Sequence, residues 1–345
     1  MELKGDYFMK LQILVPHYKE TAEVIKPLLD SLSIQQNIDF SEMGVIICHD
    51  GDDSKDFIFT DNLDLVKEGT MYLPNYPFEV KQIRQKHNGV SAARNSCLDK
   101  ATADYVMFCD ADDMFYNACG AWILFREMDL GVFDSMVSCF IEETKLPETQ
   151  ETTYINHDMD STFVHGKVHR RKYLVDKKIR WNPDLTIHED SYFNILCQNL
   201  SQNVKYCATP FYLWKWRDES VCRHDPKYIL KTYNNMIDSN DALVDEFKKR
   251  KITDKVLFFT AFMVFDAYYT MNKPEWINQD NIEYRDMVEK RFAKYYKEHK
   301  DIWNKIPNSD KMQISQQIRG RSVMEGMQLE SMTVDEWLNH VEKAY

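Results

Sequence analysis

Residues 105–115, YVMFCDADDMF, join an apolar run to a cluster of carboxylates. The run 105–109 is rich in aromatic and β-branched residues, which predicts a buried strand. Asp110, Asp112 and Asp113 follow it within four residues, and their mutual repulsion is costly unless a cation is present. Mg²⁺ or Mn²⁺ suits such ligands, with a bound diphosphate completing the shell. The stretch therefore favours a metal–diphosphate site at a strand end, with a solvated acidic turn as the alternative.

The composition indicates a globular protein with a large core. The 345 residues are 44% hydrophobic and 13% aromatic, enough for one large domain or two ordinary ones. The eight cysteines form no CxxC pair, so we expect reduced, buried thiols and a cytoplasmic location. No secretory signal or membrane span is predicted, because the longest apolar run, 256–265, covers about half the bilayer. The net charge of −12 gives no strong nucleic-acid signal.

Strands and helices alternate in the first part of the chain. Because βαβ units imply a parallel sheet, ligands are expected at the carboxyl ends of the strands. The predicted strands are 9–16, 44–48, 78–84, 105–109, 134–142 and 204–208, and the predicted helices are 22–33, 90–101, 118–128 and 191–199. Residues 54–77 form an excursion with room for a short helix, and 143–161 form a loop or hairpin. The basic segment 163–180 predicts a short helix whose charged residues, including Lys167, face solvent.

From Pro226 onward the apolar spacing is helical. The predicted helices are 227–250, 254–271, 280–300, 310–330 and 334–343, and the last begins with a capping box formed by Thr333 and Glu336. The aromatic stripe of 254–271 favours a helix-packing core over a ligand site. The pattern divides the chain into an α/β domain, 1–225, and a helical domain, 226–345, expected to bind a second substrate, brace the first domain or form a homo-oligomer.

Four separated motifs occur in one order along the chain. They are VPHY at 15–18, DGDD at 50–53, NGVSAARN at 88–95 ahead of the DADD strand, and ED at 189–190. Together they resemble the family 2 glycosyltransferases of the GT-A fold, over about residues 9–224. The resemblance implies a Rossmann-like, mostly parallel central sheet flanked by helices, followed here by an all-helical C-terminal region.

The resemblance also implies roles for matched positions. In the family's DDGS element the first acidic position is His49 here and the serine position is Asp52. This departure affects which nucleotide base the donor is expected to carry, and uracil is still favoured. The resemblance implies metal ligands at Asp112 and His224. The donor-binding positions it implies are Pro16, His17, Tyr18, Asp50, Asp52, Asn88, Gly89, Arg94, Asp110, Ala111, Arg217 and Arg223.

The ED motif carries the implied chemistry. Asp190 matches the family's general base and Glu189 an acceptor-orienting residue, because an acceptor hydroxyl attacks well at neutral pH only when a carboxylate takes its proton. We therefore expect an inverting glycosyltransferase of the hexosyltransferase type, dependent on Mn²⁺ or Mg²⁺. It would move a sugar from a UDP-sugar to a hydroxyl of a surface glycan or similar polymer. The alternatives are transfer to a modified DNA base, a nucleotidyltransferase, and a non-catalytic glycan-binding module.

Overall fold

The structure, a computed structural model, describes residues 9–51, 56–218 and 225–345. The predicted donor position Asp52, together with Arg223 and His224, lies outside the described residues. The chain divides into two compact units, 1–218 and 219–345. The roles predicted for domains 1–225 and 226–345 stay predictions.

The N-terminal unit is an α/β structure. Its strands are β1 (Leu11–His17), β2 (Met43–Asp50), β3 (Ile58–Phe59), β4 (Tyr72–Leu73), β5 (Glu79–Gln85), β6 (Tyr105–Phe108), β7 (Met114–Phe115), β8 (Ser135–Ser138), β9 (Phe140–Lys145), β10 (Thr152–His157), β11 (Lys167–Arg170), β12 (Val204–Cys207) and β13 (Tyr212–Trp214). Its helices are α1 (Ala22–Ser33), α2 (Val90–Lys100), α3 (Gly120–Asp129), α4 (Arg171–Asp176) and α5 (Glu189–Leu200).

The central sheet has seven strands in the order β12-β8-β11-β6-β1-β2-β5. All neighbouring pairs are parallel except those of β11, which runs antiparallel to both β6 and β8. Every residue of β1 and β2 is buried, as expected for strands covered on both faces. This arrangement confirms the predicted mostly parallel sheet with flanking helices.

A second, four-stranded sheet has the order β10-β9-β13-β7. The predicted single strand 134–142 is two strands, β8 and β9, separated at Cys139. The segment predicted as a loop or hairpin contains β10, which pairs antiparallel with β9. In the excursion, the described residues 56–77 hold the short parallel pair β3 and β4 and a 3₁₀ turn at Leu63–Leu65, without an α-helix.

The prediction for Lys167 is wrong. Residues 167–170 form strand β11, and Lys167 is 2% exposed. The run of basic residues suggested a solvated helix face, but the helix α4 begins only at Arg171. The alternation of Val168 with polar neighbours was too short to signal a strand.

The C-terminal unit is helical, as predicted. Its helices are α6 (Tyr228–Lys249), α7 (Thr253–Thr270), α8 (Pro274–Ile277), α9 (Ile282–Lys305), α10 (Asn308–Met324) and α11 (Val334–Ala344). The predicted capping box of Thr333 and Glu336 begins α11. Most of the aromatic stripe of α7 is buried in the core of the unit, although Phe258 is 39% exposed. No helix among the described residues is long and apolar enough to cross a membrane.

Candidate functional site

The candidate site lies where strands of the central sheet end. Because β1, β2 and β6 are parallel neighbours, the residues at or just after their ends, His17, Asp50 and Asp110, lie along one edge of the sheet. The loop after β5 leads into α2, and Gly89 begins that helix with a φ of 86°. A side chain at this φ would be strained, which explains a glycine there. Sequence motifs far apart in the chain therefore meet at this edge.

Arg94 connects the DADD strand end to the ED motif. Its side chain, 4% exposed, donates through Nη1 to Glu189 Oε1 at 2.9 Å and through Nη2 to Asp110 Oδ1 at 2.8 Å. The guanidinium also stacks over the ring of Trp181, 4.3 Å from its centroid. A planar guanidinium can satisfy two carboxylates at once, which a lysine ammonium does with less geometric control. The two acidic motifs thus share one buried cation.

The other two aspartates of DADD have different surroundings. Asp112 is about one-third exposed and forms an ion pair with Arg217 at 2.8 Å. Asp113 is buried, accepts a hydrogen bond from the Tyr212 hydroxyl and another from the Lys215 amide at 3.0 Å. Burial, reinforced by the charge of Asp112, raises the pKa of Asp113. Asp112 is therefore the accessible one of these two aspartates, and Asp113 holds the strand end against β13.

Asp190 lies in the first turn of α5, next to Glu189. Its Oδ1 accepts a hydrogen bond from the Ser191 amide at 2.7 Å. Burial raises the pKa of Asp190 to about 7, with the charge of Glu189 as a further cause and Arg94 acting in the opposite direction. A carboxylate with a pKa near the working pH can both take and release a proton. The neighbourhood of Asp190 therefore suits a general base.

Lys167 is a site neighbour that sequence reasoning missed. Burial lowers the pKa of this lysine to about 8, while the negative charges of Asp160 and Asp190 oppose that shift. Glu20 is another: burial raises its pKa, with Asp112 adding to the shift and Arg217 opposing it. Nothing in the sequence around either residue signalled the site, because their neighbours come from distant elements.

Asp50 is enclosed by donors from the loop after β5. Its Oδ1 accepts from Gln85 Nε2 at 2.7 Å and from the Asn88 amide at 2.9 Å. Its Oδ2 accepts from the Gly89 amide at 2.9 Å and lies 2.9 Å from His87 Nδ1. Two hydrogen bonds on each oxygen leave this carboxylate fully used within the protein. In this structure Asp50 therefore anchors the loop that begins α2.

The remaining described donor positions lie at or just after the ends of β1 and β6. Pro16 lies in β1 opposite Cys48, and His17 lies opposite His49. Tyr18 is 42% exposed and stacks on His87, with ring centroids 4.3 Å apart. Ala111 is buried between the aspartates on either side of it.

The carboxylates of Asp110 and Asp112 fit a hard divalent cation. Each uses one oxygen in an ion pair with an arginine, and among the described residues no hydrogen bond is donated to the other oxygen. Magnesium and manganese accept such a set, since one or two carboxylates plus ligand phosphates fill their shells. Asp112 would hold such a metal, whereas the predicted ligand His224 lies outside the described residues.

A different acidic group lies in the C-terminal unit. Asp241, Glu298 and His299 offer ligand atoms within 4.8 Å of one another. Both oxygens of Asp241 are engaged, one with Arg291 at 2.8 Å and one with His299 Nε2 at 2.7 Å. His299 Nδ1 also lies 3.1 Å from the Lys248 ammonium. We interpret this group as an ion-pair network, because its best ligand atoms already have cationic partners.

Comparisons with known proteins agree with this geometry. Residues 12–121 match the profile of Glycosyl transferase family 2. The uncharacterized glycosyltransferase YibD of Escherichia coli (strain K12) is 34% identical over 107 residues, which cover 31% of this chain and 27% of that protein. The succinoglycan biosynthesis protein ExoM of Rhizobium meliloti (strain 1021) is 36% identical over 50 residues, covering 14% of this chain and 15% of that protein. The matches thus span about a quarter or less of these relatives' length.

The crystal structure of S. aureus TarS 1-349 has a similar fold, with a TM-score of 0.51 and 17% sequence identity. The similarity covers 90% of this chain and 92% of that one. These matches show that residues 12–121 are similar to Glycosyl transferase family 2, and that the chain shares its fold with this solved structure.

Proposed function

We propose that this chain is a family 2 glycosyltransferase of the GT-A fold, which moves a sugar from a UDP-sugar to an acceptor hydroxyl with inversion at the anomeric carbon. The observation that carries the proposal is the double ion pair of Arg94, with Asp110 on one side and Glu189 on the other. It brings the acidic strand end, suited to a nucleotide diphosphate and its metal, next to the ED motif. A donor and a base could therefore act in one cleft.

Asp190 is the proposed general base. Its carboxylate would take the proton of the acceptor hydroxyl as the new C–O bond forms, an assistance worth about 10²–10⁴ in rate. Glu189, fixed by Arg94, would orient the acceptor. With one base opposite the leaving diphosphate, attack is in line and the anomeric centre inverts.

Asp112 is the proposed ligand of Mn²⁺ or Mg²⁺. A bound divalent ion would neutralise the charge that develops on the leaving UDP. Arg217, now paired with Asp112 at 2.8 Å, is close enough to that carboxylate to contact the diphosphate. The predicted contributions of Arg223 and His224 stay proposals.

The acceptor is proposed to be a hydroxyl of a surface glycan or similar polymer. The R. meliloti relative is named as a succinoglycan biosynthesis protein, which supports a glycan acceptor over a modified DNA base. The net charge of −12 also disfavours a DNA acceptor, because DNA binding relies on basic surface.

The test is release of UDP from a panel of UDP-sugars with Mn²⁺ and candidate glycan acceptors. We expect Asp190→Asn to lose about 10²-fold or more in kcat while binding UDP normally. The matched control is Asp99→Asn, which alters an exposed carboxylate paired with Arg180 and is expected to keep wild-type turnover. Equal turnover in Asp190→Asn would remove this residue from the mechanism. Mn²⁺-dependent UDP binding without turnover by the wild type would favour a non-catalytic module, and pyrophosphate release from a nucleoside triphosphate would favour a nucleotidyltransferase.

A further inference from the structure

Two buried histidines face each other at the ends of β1 and β2. His17 and His49 are opposite in the parallel register and are 1% and 0% exposed. Their Nδ1 atoms lie 3.0 Å apart, and both rings pack against Phe57. A 3.0 Å contact between two ring nitrogens is a hydrogen bond only if one of them carries a proton.

Among the described residues, the outer nitrogen of His49 faces only acceptors. His49 Nε2 lies 2.9 Å from Gln82 Oε1 and 3.4 Å from Asp56 Oδ1. The orientation of the Gln82 amide is fixed by backbone, since its Oε1 accepts from the Phe57 amide at 2.8 Å and its Nε2 donates to the Phe57 carbonyl at 2.7 Å. Turning that amide over would break both bonds. His49 Nε2 must therefore carry a proton.

The outer nitrogen of His17 also faces only acceptors in the part of the chain that the structure describes. His17 Nε2 lies 2.8 Å from the Glu20 carbonyl oxygen and 3.7 Å from Glu20 Oε2. Turning the His17 ring over would place carbon atoms opposite the carbonyl and opposite His49 Nδ1, and both hydrogen bonds would be lost. His17 Nε2 must therefore carry a proton as well.

Two neutral imidazoles carry two protons, and both are used at the outer nitrogens. The contact between the Nδ1 atoms would then join two lone pairs at 3.0 Å, which is repulsive. We propose that His17 and His49 hold one additional proton between their Nδ1 atoms, as a buried imidazole–imidazolium pair that joins the first loop of the site to the sheet.

The charged groups around the pair are consistent with a single positive charge. Asp56 faces the His49 end, Glu20 faces the His17 end, and Arg84 pairs with Asp56 at 2.8 Å. Two carboxylates thus oppose the desolvation of one cation. Burial lowers the pKa of both rings, that of His17 to about 4, and the charge of Arg84 adds to the shift of each. The pair therefore takes up no second added proton.

The shared proton positions the loop that follows β1. Glu20, whose carbonyl accepts from His17, also accepts through Oε2 from the Tyr18 amide at 2.5 Å. Loss of the proton would force one ring to turn and would release this loop. That the loop binds the donor rests on the proposed function, but the proton count does not.

The direct test is a proton count by ¹⁵N–¹H correlation NMR on the ¹⁵N-histidine-labelled full chain. At pH 6.5 we expect three protonated nitrogens over His17 and His49, assigned by single substitutions. His169, buried and 2.9 Å from the Ser135 hydroxyl, is the internal reference for a ring with one proton. Two protonated nitrogens over the pair at pH 6.5 would overturn the proposal.

A second measurement uses His49→Asn, which places an amide near Nδ1 that can donate or accept. The unfolded pair binds two added protons at low pH and none at high pH, whereas the folded pair binds one. The stability of the wild type should therefore increase as the pH rises to about 6.5 and decrease as the pH rises further. His49→Asn keeps His17, which is protonated when unfolded at low pH and neutral when folded, so the variant should also gain stability up to about pH 6.5 but should not lose it above. Relative to this variant, the folding constant of the wild type should therefore be level at low pH and fall by up to tenfold per pH unit above about pH 6.5. A difference between the two proteins that is flat across pH 5–8, or that rises with pH, would contradict the shared proton.

Binding of UDP with Mn²⁺ is measured over the same pH range. If the proposed function is right, UDP affinity of the wild type falls above the pH at which the pair loses its proton, and that of His49→Asn does not. Three protons in the NMR count without UDP binding would leave the pair intact and refute the donor site. Two protons in the NMR count with normal UDP binding would refute the shared proton and leave the donor site intact.

Discussion

Arg94→Met tests whether one buried cation holds the two acidic motifs together. The substitution keeps an unbranched side chain but removes the guanidinium, and with it both ion pairs, at 2.8 Å to Asp110 and 2.9 Å to Glu189. Removing one partner of a buried pair costs about 3–5 kcal/mol. Glu189 is 13% exposed and loses its partner in a nearly buried position, whereas Asp110, at 32% exposed, is partly screened by water. We therefore expect a loss of about 3 kcal/mol in the free energy of unfolding of the N-terminal unit.

The assays are thermal and urea unfolding followed by circular dichroism, together with UDP release. A loss of this size lowers the Tm by about 6–12 °C in a unit of this length, and misplacement of the ED motif should lower kcat by about 10²-fold. Arg94→Lys keeps the charge but cannot hold both carboxylates in one plane, so we expect intermediate values. Arg180→Met, which removes an exposed pair with Asp99, is the matched control and should cost less than about 1 kcal/mol. An Arg94→Met protein with wild-type Tm and kcat would refute the coupling.

Three further predictions concern neighbouring residues. The pH profile of kcat/KM should rise through about pH 7, because burial raises the pKa of Asp190 to about 7 and the base acts in its unprotonated form. Glu189→Gln removes a negative charge next to Asp190 and should therefore move this rise to lower pH. Lys167→Met removes a buried positive charge near Asp190 and should move the same rise to higher pH. Asp50→Ala leaves four donors without their acceptor, so denaturant unfolding should show a loss of about 3 kcal/mol, whereas an unchanged value would contradict its role as anchor.

The sequence predicted the fold well, because the fold depends on the periodicity of apolar residues and on the order of strands and helices along the chain. The alternating strands and amphipathic helices of residues 9–109 gave a parallel sheet, and α1 at Ala22–Ser33 has the predicted bounds. Apolar spacing determines which face of an element is buried, and that information is local.

The sequence predicted the side-chain partners less well, because those depend on distant elements. Lys167 was predicted to face solvent, but it lies in β11, which pairs with β6 on one side and β8 on the other. Asp50 matched a base-binding position by motif, yet its oxygens accept four hydrogen bonds from the loop after β5. His49 was noted only as a departure from an acidic residue, and its pairing with His17 follows from the β1–β2 register.

The two arginine–aspartate pairs of the site differ in a way that divides their roles. Arg94 is 4% exposed and is fixed by Glu189 and Trp181 as well as Asp110, so exchanging it for a ligand would leave a buried charge without a partner. Arg217 and Asp112 are each about one-third exposed, and water can replace either partner at low cost. Under the proposed function, the outer pair is therefore the one that opens: Asp112 turns to a cation and Arg217 to the diphosphate, while the inner pair keeps Glu189 and Asp190 in place throughout the reaction.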